Sequence, residues 1–588
     1  VPNYRSPGLY FEEPQSSPTL VTAAPTDVGA MLGAATKGPP NRPVRITSLD
    51  QFFRAFGTYF TGSYLAHGAR QFFENGGTAL WVSRVIGASG SVVAARQLSN
   101  TTPSSTILLG AFSVGSHGNL LSCDVDRVNP VVGALATSLG TGAVTSAVLS
   151  DVRQLYVGAT INILNTTNLR VTITGIDPTS KTVFFPSRAP SGAITAAGST
   201  VTLEEFSITV LRQGVVSETI PAVGGMAMDP TAGNKYFKNV INNNDPFREI
   251  VVTTDNLLAN SNTVDPRPAN DTVPVLFAAG ADGTAVAEAD IVGTVGPPGT
   301  GYFAFDSVNE ASMLAAPGWS TAVSNAGLIN YLEARLSTKM WGIIDAPSGL
   351  TPAGAITYVQ STAQLFSANV SIYYPWIQQV DPTFPGTPSV QNLFPPSGAV
   401  MGMAARTASK FGVQRAPAGT EKGRLTNVTT VERKLLQADT DILNPAGINA
   451  ILALDGKGVC VMGARTLAKG DFLYVNVRRV FNYIEASLKQ SYDVILFEEN
   501  DERTRSWIER GITSFLNQEW RNRRLKGKTA SAAFTVKCNE DNNPASTQAA
   551  GQLFTDIGLA VANPAEFVIF RLFRDQREAQ AELAAAGL

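Results

Sequence analysis

The sequence predicts a multidomain mixed α/β (α+β) protein. Layered α/β core domains carry an inserted β-rich outer domain and extended N- and C-terminal arms. Three observations predict this. The 588 residues exceed what one hydrophobic core can serve. Strand-like and helix-like patterns alternate near the start and again after the middle, as in a sheet flanked by helices. Between them lies a long stretch of short β runs, rich in Thr, Ser, Val and Gly and broken by turn residues.

Residues 1–20 contain Pro2, Pro7, Pro14 and Pro18, a density that prevents a helix and favours an extended arm. Leu9, Tyr10 and Phe11 make its centre strand-prone. The arm is either a disordered tail or a strand for another chain's sheet edge. Residues 21–86 form the first part of the α/β core. TDVGAMLGAATKGP reads as a buried strand, and SLDQFFRAFG as a helix capped by Ser48 or Asp50. SYLAHGARQFFENGG is a helix with a Gly-Gly stop, and TALWVSRV is a strand. Residues 87–270 are the inserted β-rich outer domain, with LRVTITGID, KTVFFP and EEFSITVLRQG as typical runs. Residues 271–397 return to α/β: VPVLFAAG, a Gly-rich loop, a strand at TGYFAFDSV, a helix around NAGLINYLEARLS and the strand MWGIIDAP.

Residues 398–573 hold two amphipathic helices. VRRVFNYIEASLKQ puts Val480, Ile484 and Leu488 on one face. DERTRSWIERGITSFLNQEWRNRR puts Ile508, Ile512, Phe515, Leu516 and Trp520 on one face and leaves Arg503, Arg510, Arg521, Arg523 and Arg524 for the rest. Asn500 or Asp501 can cap this helix and Gly527 can end it. PAEFVIFRLF is strand-prone. Residues 574–588 read as a short helix or a frayed tail.

Hydrophobic residues are 44% and charged residues 16% of the chain. So low a charge content suits either a subunit covered by copies of itself or a large β-rich protein with Thr, Ser and Gly loops. A net charge of −2 gives no basic field for nucleic acid. No run reaches the roughly 18 apolar residues of a membrane span. VPNYRSPGLYFEE lacks the basic and apolar regions of a secretory signal, so a cytoplasmic start is expected. Cys123, Cys460 and Cys538 are far apart, and His67 and His117 are the sole histidines. Neither a disulfide framework nor a metal site is expected.

GPPGTGYF has the glycine spacing of a phosphate-binding loop at Gly296 and Gly301. Tyr302 and Phe303 replace the Lys and Ser/Thr that would neutralise phosphate and bind Mg²⁺, so a turn leading into a strand is expected instead. DGKG, Asp455 to Gly458, reads as a hairpin turn rather than a cation loop. His67 reads as a packed or surface histidine. Glu498 and Glu499 adjoin a helix start, where negative charge favours the dipole. No catalytic residue, cofactor or metal is expected, and nothing in the sequence requires an enzyme.

Several segments are far more specific than this. They are YYPWI (373–377), PPSGAVMGMAARTASKFGVQRAPAG (395–419), NPAGINAI (444–451), GARTL (463–467), VNVRRVFNYIEASL (475–488) and NPAEFVIFRLF (563–573). PGLYFEE, TDVGAMLGAATKGP, SLDQFFRAFG, FFENGGTALWVSRV and TGYFAFDSVNEASMLAAPG precede them in order. Together they resemble the contractile tail sheath proteins of bacteriophages and related injection particles. Two departures stand out. Met462 occupies a position where the family usually has Trp, and Ala408-Ser409 one where it often has an acidic residue.

The resemblance implies a structural subunit, not an enzyme. It would polymerise as stacked hexameric rings in a helical sleeve around an inner tail tube. Energy stored in a metastable extended state would drive the tube through a target cell envelope on contraction. Baseplate and tail terminator proteins would be further partners, with no direct nucleic acid contact and no membrane insertion. The place would be a virion tail or contractile particle, assembled in the bacterial host cytoplasm. Residues 398–573 would be the inner, polymerising domain. Gly8, Leu9, Tyr10, Phe11 and Glu12, and Glu566, Phe567, Val568, Ile569, Phe570 and Leu572, would add strands to neighbouring subunits. An ordinary internal strand is the alternative for the second set. Arg478, Arg479, Lys489, Arg503, Arg505 and Arg510 are candidate tube contacts, with a solvated helix face as the alternative. The alternative function is a β-rich adhesin or receptor-binding structural protein.

Overall fold

Apolar runs without polar alternation need cover on both faces, and the central sheet is built from such runs. The computed structural model describes residues 21–100, 106–243, 245–257, 259–335, 337–383 and 391–567. Its main sheet contains β1 (Gly29–Ala34), β2 (Val44–Ile46), β3 (Leu80–Val85), β4 (Met313–Ala315), β5 (Trp341–Asp345), β6 (Val370–Tyr374), β7 (Ile448–Leu454) and β8 (Gly458–Val461). The spatial order is β2-β3-β1-β4-β5-β6-β7-β8. Pairing is parallel from β3 across to β7 and antiparallel at the two edges. Parallel strands covered on both faces read as continuous apolar runs. In β6, Val370, Ile372 and Tyr374 enter one core and Tyr373 the other.

Helices supply the cover. α1 (Leu49–Phe56) and α2 (Leu65–Glu74) pack on one face, α3 (Ala322–Ala334) on the other, and α4 (Ser397–Phe411) joins the first pair. The Ser48 hydroxyl caps α1 by accepting from Gln51 N at 3.2 Å. Where α2 meets α4 the backbones nearly touch. A methyl group at Gly402 would lie 2.3 Å from the Phe72 carbonyl oxygen, and one at Gly398 would lie 2.5 Å from that of Gly68.

Asp345, at the end of β5, ties the sheet to α4. Its carboxylate accepts from Ser397 N and Ser397 Oγ, both at 2.8 Å, and from Gly318 N at 3.2 Å. Burial pushes its pKa up from 3.8 to about 6, against the pull of these donors. A folded-state pKa above the unfolded value means that the native state holds the proton more tightly. Stability from this group is therefore present below pH 4 and lost as pH rises to about 6. The change is on the order of 3 kcal/mol. Urea midpoints of Asp345→Asn, taken from pH 4 to 7 beside the parent chain, should lack this slope. Parallel profiles would show that the carboxylate does not titrate in that window.

The β-rich body begins and ends at one place on the core. Ser91 pairs with Asp282 and Val92 with Ala281. Its spine is the strand Thr200–Arg212, which pairs with Leu121–Val128, Val131–Gly133, Thr160–Leu164 and Val215–Ile220. Val201 and Leu203 of the spine enter one core, and Phe206, Ile208 and Val210 a second. Odd and even positions point to opposite faces of a strand, so the inward side changes between residues 203 and 206. Glu204 and Glu205 fall at the changeover and are buried, at 4% and 3% exposure. Arg170 bonds Glu204 at 2.8 Å, and Lys235 and Tyr156 bond Glu205 at 3.0 and 2.6 Å. Polar contacts also join the body to the core. Lys37 Nζ and Arg212 Nη2 grip Glu249, at 2.9 and 2.6 Å. Arg84 Nη1 donates to Gly38 O and Val114 O, at 3.1 and 2.8 Å.

Three local expectations change. In VPVLFAAG, Val275–Leu276 pairs with Leu121–Val128 of the β-rich body and not with the core sheet. TGYFAFDSV is a 3₁₀ helix over Gly301–Ser307, not a strand. It packs Tyr302 and Phe305 inward, and a methyl group at Gly301 would lie 2.4 Å from the Ile291 carbonyl oxygen. The helix after Asp501 stops at Arg521, capped by Asn522, well before Gly527. DGKG turns between β7 and β8, with Leu454 opposite Gly458.

Candidate functional site

The C-terminal region builds its own small core. α5 (Val475–Tyr492) and α6 (Glu502–Arg521) form an antiparallel hairpin: Tyr492 meets Trp507 with ring centroids 5.8 Å apart, and Tyr483 meets Phe515 at 6.2 Å. Val480 and Ile484 pack on Ile508, Ile512 and Leu516. The Asp501 carboxylate caps α6 by accepting from Thr504 N at 2.7 Å. A two-stranded sheet of β9 (Phe534–Lys537) and β10 (Asp556–Leu559) lies against the helices. Among the described residues neither strand has a further partner, so backbone donors and acceptors line both outer edges.

Residues 22–26 run along α5. Thr22 N donates to Ser491 Oγ and Ala24 N to Ser487 Oγ, both at 2.9 Å, and Arg479 Nη2 donates to Thr26 O at 2.7 Å. Residues 479, 483, 487 and 491 are spaced by four and share one face. This stripe fixes the root of the N-terminal segment beside the β9–β10 sheet. Another clasp holds the C-terminal segment. Glu566 takes both ends of the Arg465 guanidinium, with Nε to Oε1 at 3.0 Å. Hydrogen bonding to Glu566 raises the Arg465 pKa. Buried Asn449 fixes the arginine's backbone, accepting from Arg465 N at 2.7 Å and donating to Arg465 O at 2.8 Å.

The sequence-predicted residues separate into distinct environments. Gly8 to Glu12, and Val568, Ile569, Phe570 and Leu572, lie outside the described residues. Glu566 is in the clasp; Phe567 is 74% exposed, beside a groove that Met462 also borders. Neither pairs with a strand among the described residues. Arg479 is buried under Trp341, its guanidinium 5.3 Å from the ring centroid, and burial lowers its pKa to about 10. Arg505 is buried and donates to Asn500 O and Oδ1, at 3.0 and 2.9 Å. Arg478 stacks on Phe472 at 4.6 Å and donates to Asn482 Oδ1 at 2.7 Å. Arg503 and Arg510 are exposed along α6 and share a shallow depression with Glu502, Ser506 and Glu509. Lys489 is exposed near the end of α5.

His67 is packed between Tyr59 and Phe394, with ring centroids at 4.6 and 4.4 Å, and burial lowers its pKa to about 4. Among the described residues, no cluster of His, Cys, Asp or Glu has the arrangement of a metal site. No described helix is long and apolar enough to cross a membrane.

Comparison with known proteins fits this architecture. The family model described as the phage tail sheath protein central domain matches residues 304–467, and that of the phage tail sheath C-terminal domain matches residues 468–573. The two matches are consecutive, so residues 304–573 carry the central and C-terminal domains of the phage tail sheath family. It is similar to the tail sheath protein of Burkholderia phage BcepMu, 28% identical over 49% of this chain and 61% of the relative. It is also 28% identical to that of Vibrio phage KVP40, over 30% of this chain and 25% of the relative. The chain therefore matches less than two thirds of the length of these curated relatives. A solved extracellular contractile injection system, the PVC sheath complex in its contracted state, has the same fold. It is 16% identical, covers 98% of this chain and 100% of its own, and superposes with a TM-score of 0.51.

Proposed function

We propose that this chain is the structural, non-enzymatic subunit of a contractile tail sheath. It polymerises around an inner tube, stores energy in a metastable extended state and contracts to drive the tube through a target envelope. Assembly in the host cytoplasm, stacked hexameric rings, and baseplate and terminator partners belong to the same proposal. One observation carries it: the β9–β10 sheet has open edges and stands beside the anchored root of the N-terminal segment. Strands from the two arms, residues 8–12 and 566–573, would complete that sheet in neighbouring copies. A head-to-tail contact of this kind extends without closing. Extended arms allow subunits to rotate while the linkage persists. The β-rich body would be the outward unit.

The chain expressed alone should form long hollow striated cylinders under negative-stain electron microscopy, and a chain lacking residues 1–20 should not. Monomers or closed oligomers with and without a tube protein would sink the sheath reading; glycan binding by such oligomers would favour an adhesin.

Arg503 and Arg510 are the exposed arginines among the candidate tube contacts. Charged contacts suit a surface that must let go when the sleeve widens. Arg503→Glu with Arg510→Glu should leave folding stability within about 0.5 kcal/mol, as surface changes usually do. Cylinders should still form, but a tube protein should no longer co-sediment with extended sheath. Unchanged attachment would exclude these residues.

A further inference from the structure

The loop joining α5 to α6 holds apolar side chains out in water. Val494 is 65% exposed, Leu496 is 70% exposed, and Phe497 is fully exposed. The loop is braced. Residues Asp493–Ile495 make a 3₁₀ turn, Glu498 N donates to Ile495 O at 3.0 Å, and Asn500 Nδ2 donates to Gln552 O at 2.9 Å. Arg505, buried beneath, grips Asn500. Phe497 has φ of +74°, a left-handed backbone that bulky residues rarely adopt. Strain of this sort gathers at ligand clamps and contact points. The loop is thus set to present its apolar side chains to something.

Charge indicates what that is. Asp493, Glu498, Glu499, Asp501 and Glu502 are exposed around the apolar tip, with Arg503 beside them. The opposite end of the hairpin is basic: Arg521, Arg523, Lys526 and Lys528 are exposed there. Partly buried Trp520 lies among them, its indole donating to Gly527 O at 3.0 Å. The 20 residues of α6 place the two ends about 30 Å apart, so they cannot meet within one chain.

We propose that the acidic, apolar loop 493–502 of one copy docks on the basic end, residues 520–528, of a second copy. Leu496 and Phe497 are covered against the Trp520 side, and Glu498 and Glu499 face Arg523 and Lys526. The contact is head-to-tail and separate from strand exchange, and it rests on the reading of the chain as a sheath polymer. A braced loop loses little freedom on docking, which favours binding. The charged rim sets orientation and polarity.

Charge swapping tests this in the full chain. Glu498→Lys with Glu499→Lys, or Arg523→Glu with Lys526→Glu, should each raise the concentration needed for cylinders by about tenfold or more, and Phe497→Ser should do the same. All four charge reversals in one chain should restore assembly, which a misfolded variant could not do. Assembly indifferent to every reversal would overturn the contact while leaving the sheath reading intact. Intact assembly with lost tube attachment would also overturn it, assigning the loop to the tube. The same variants are followed by sedimentation velocity. If the parent chain forms no cylinders with or without a tube protein, the sheath reading fails, and the contact stands only if soluble self-association responds to the reversals and recovers with the swap.

Discussion

Replacing Arg479 with alanine is expected to destabilise the chain by roughly 3 kcal/mol, more than any exposed arginine of the hairpin. The side chain is 3% exposed, lies over Trp341 and donates to Thr26 O. Alanine leaves that carbonyl short of a donor, at about 1 to 3 kcal/mol, and opens a void where a long side chain packed. Burying a guanidinium that has no carboxylate at ion-pair distance among the described residues is itself unfavourable, although Asp27 acts on it from farther away, and this offsets part of the loss. Arg479→Met separates these effects, because it keeps the packing and removes the charge together with its bonds. It should recover about half of the alanine defect. Urea midpoints measure the total, and protease cleavage within residues 21–28 reports whether the N-terminal root has left α5. An alanine variant within about 0.5 kcal/mol of the parent would mean that Arg479 does not join these parts.

Gly402→Ala is expected to cost about 1 to 2 kcal/mol net, although alanine is the better helix former. Two effects oppose each other. Helix propensity favours alanine by up to about 1 kcal/mol. Against that, the new methyl group would lie 2.3 Å from the Phe72 carbonyl oxygen, and a backbone atom cannot turn aside. α2 and α4 must part, loosening the core around Phe72 and Met401, and overpacking of this sort costs about 1 to 3 kcal/mol. Gly327→Ala in α3 is the comparison. There the close atom is the Val292 side chain, at 2.5 Å, which can shift, so a smaller loss is expected. Equal losses at both sites would remove the backbone-contact explanation.

Elements whose signal is local were legible in the sequence. α1 with its Ser48 cap, α2, α5, α6 with its Asp501 cap and the β7–β8 hairpin all follow from periodicity, capping and turn chemistry. Strand partners were not legible, because alternation says that a segment is a strand and not where it pairs. Val275–Leu276 therefore joined the wrong sheet on paper. The aromatics of residues 302–305 imitate a strand, yet Gly301 at φ +55° begins a 3₁₀ turn there. Amphipathic analysis gave α5 one buried face, whereas it has two: one toward α6, and one under residues 22–26 carrying Arg479, Ser487 and Ser491. The four-residue spacing of that stripe was available as a signal, as was that of Gly398 and Gly402. The clasp between Arg465 and Glu566 spans 101 residues and has no local signature.

The chain leaves the core sheet after β3, and Asp282, at the far end of the β-rich body, pairs with Ser91 near the point of departure before the chain rejoins the sheet at β4. To the folding core the entire β-rich body is thus equivalent to a hairpin. Its length enters the closure entropy only logarithmically, so large changes in its size cost the core little. Such a site behaves as a mounting point, where one appendage can be exchanged for another without redesign of the machine beneath. The Lys37–Glu249–Arg212 junction adds a second fixing, which keeps whatever is mounted from swinging freely. Change in the appendage and preservation of the core sheet can then proceed as independent problems.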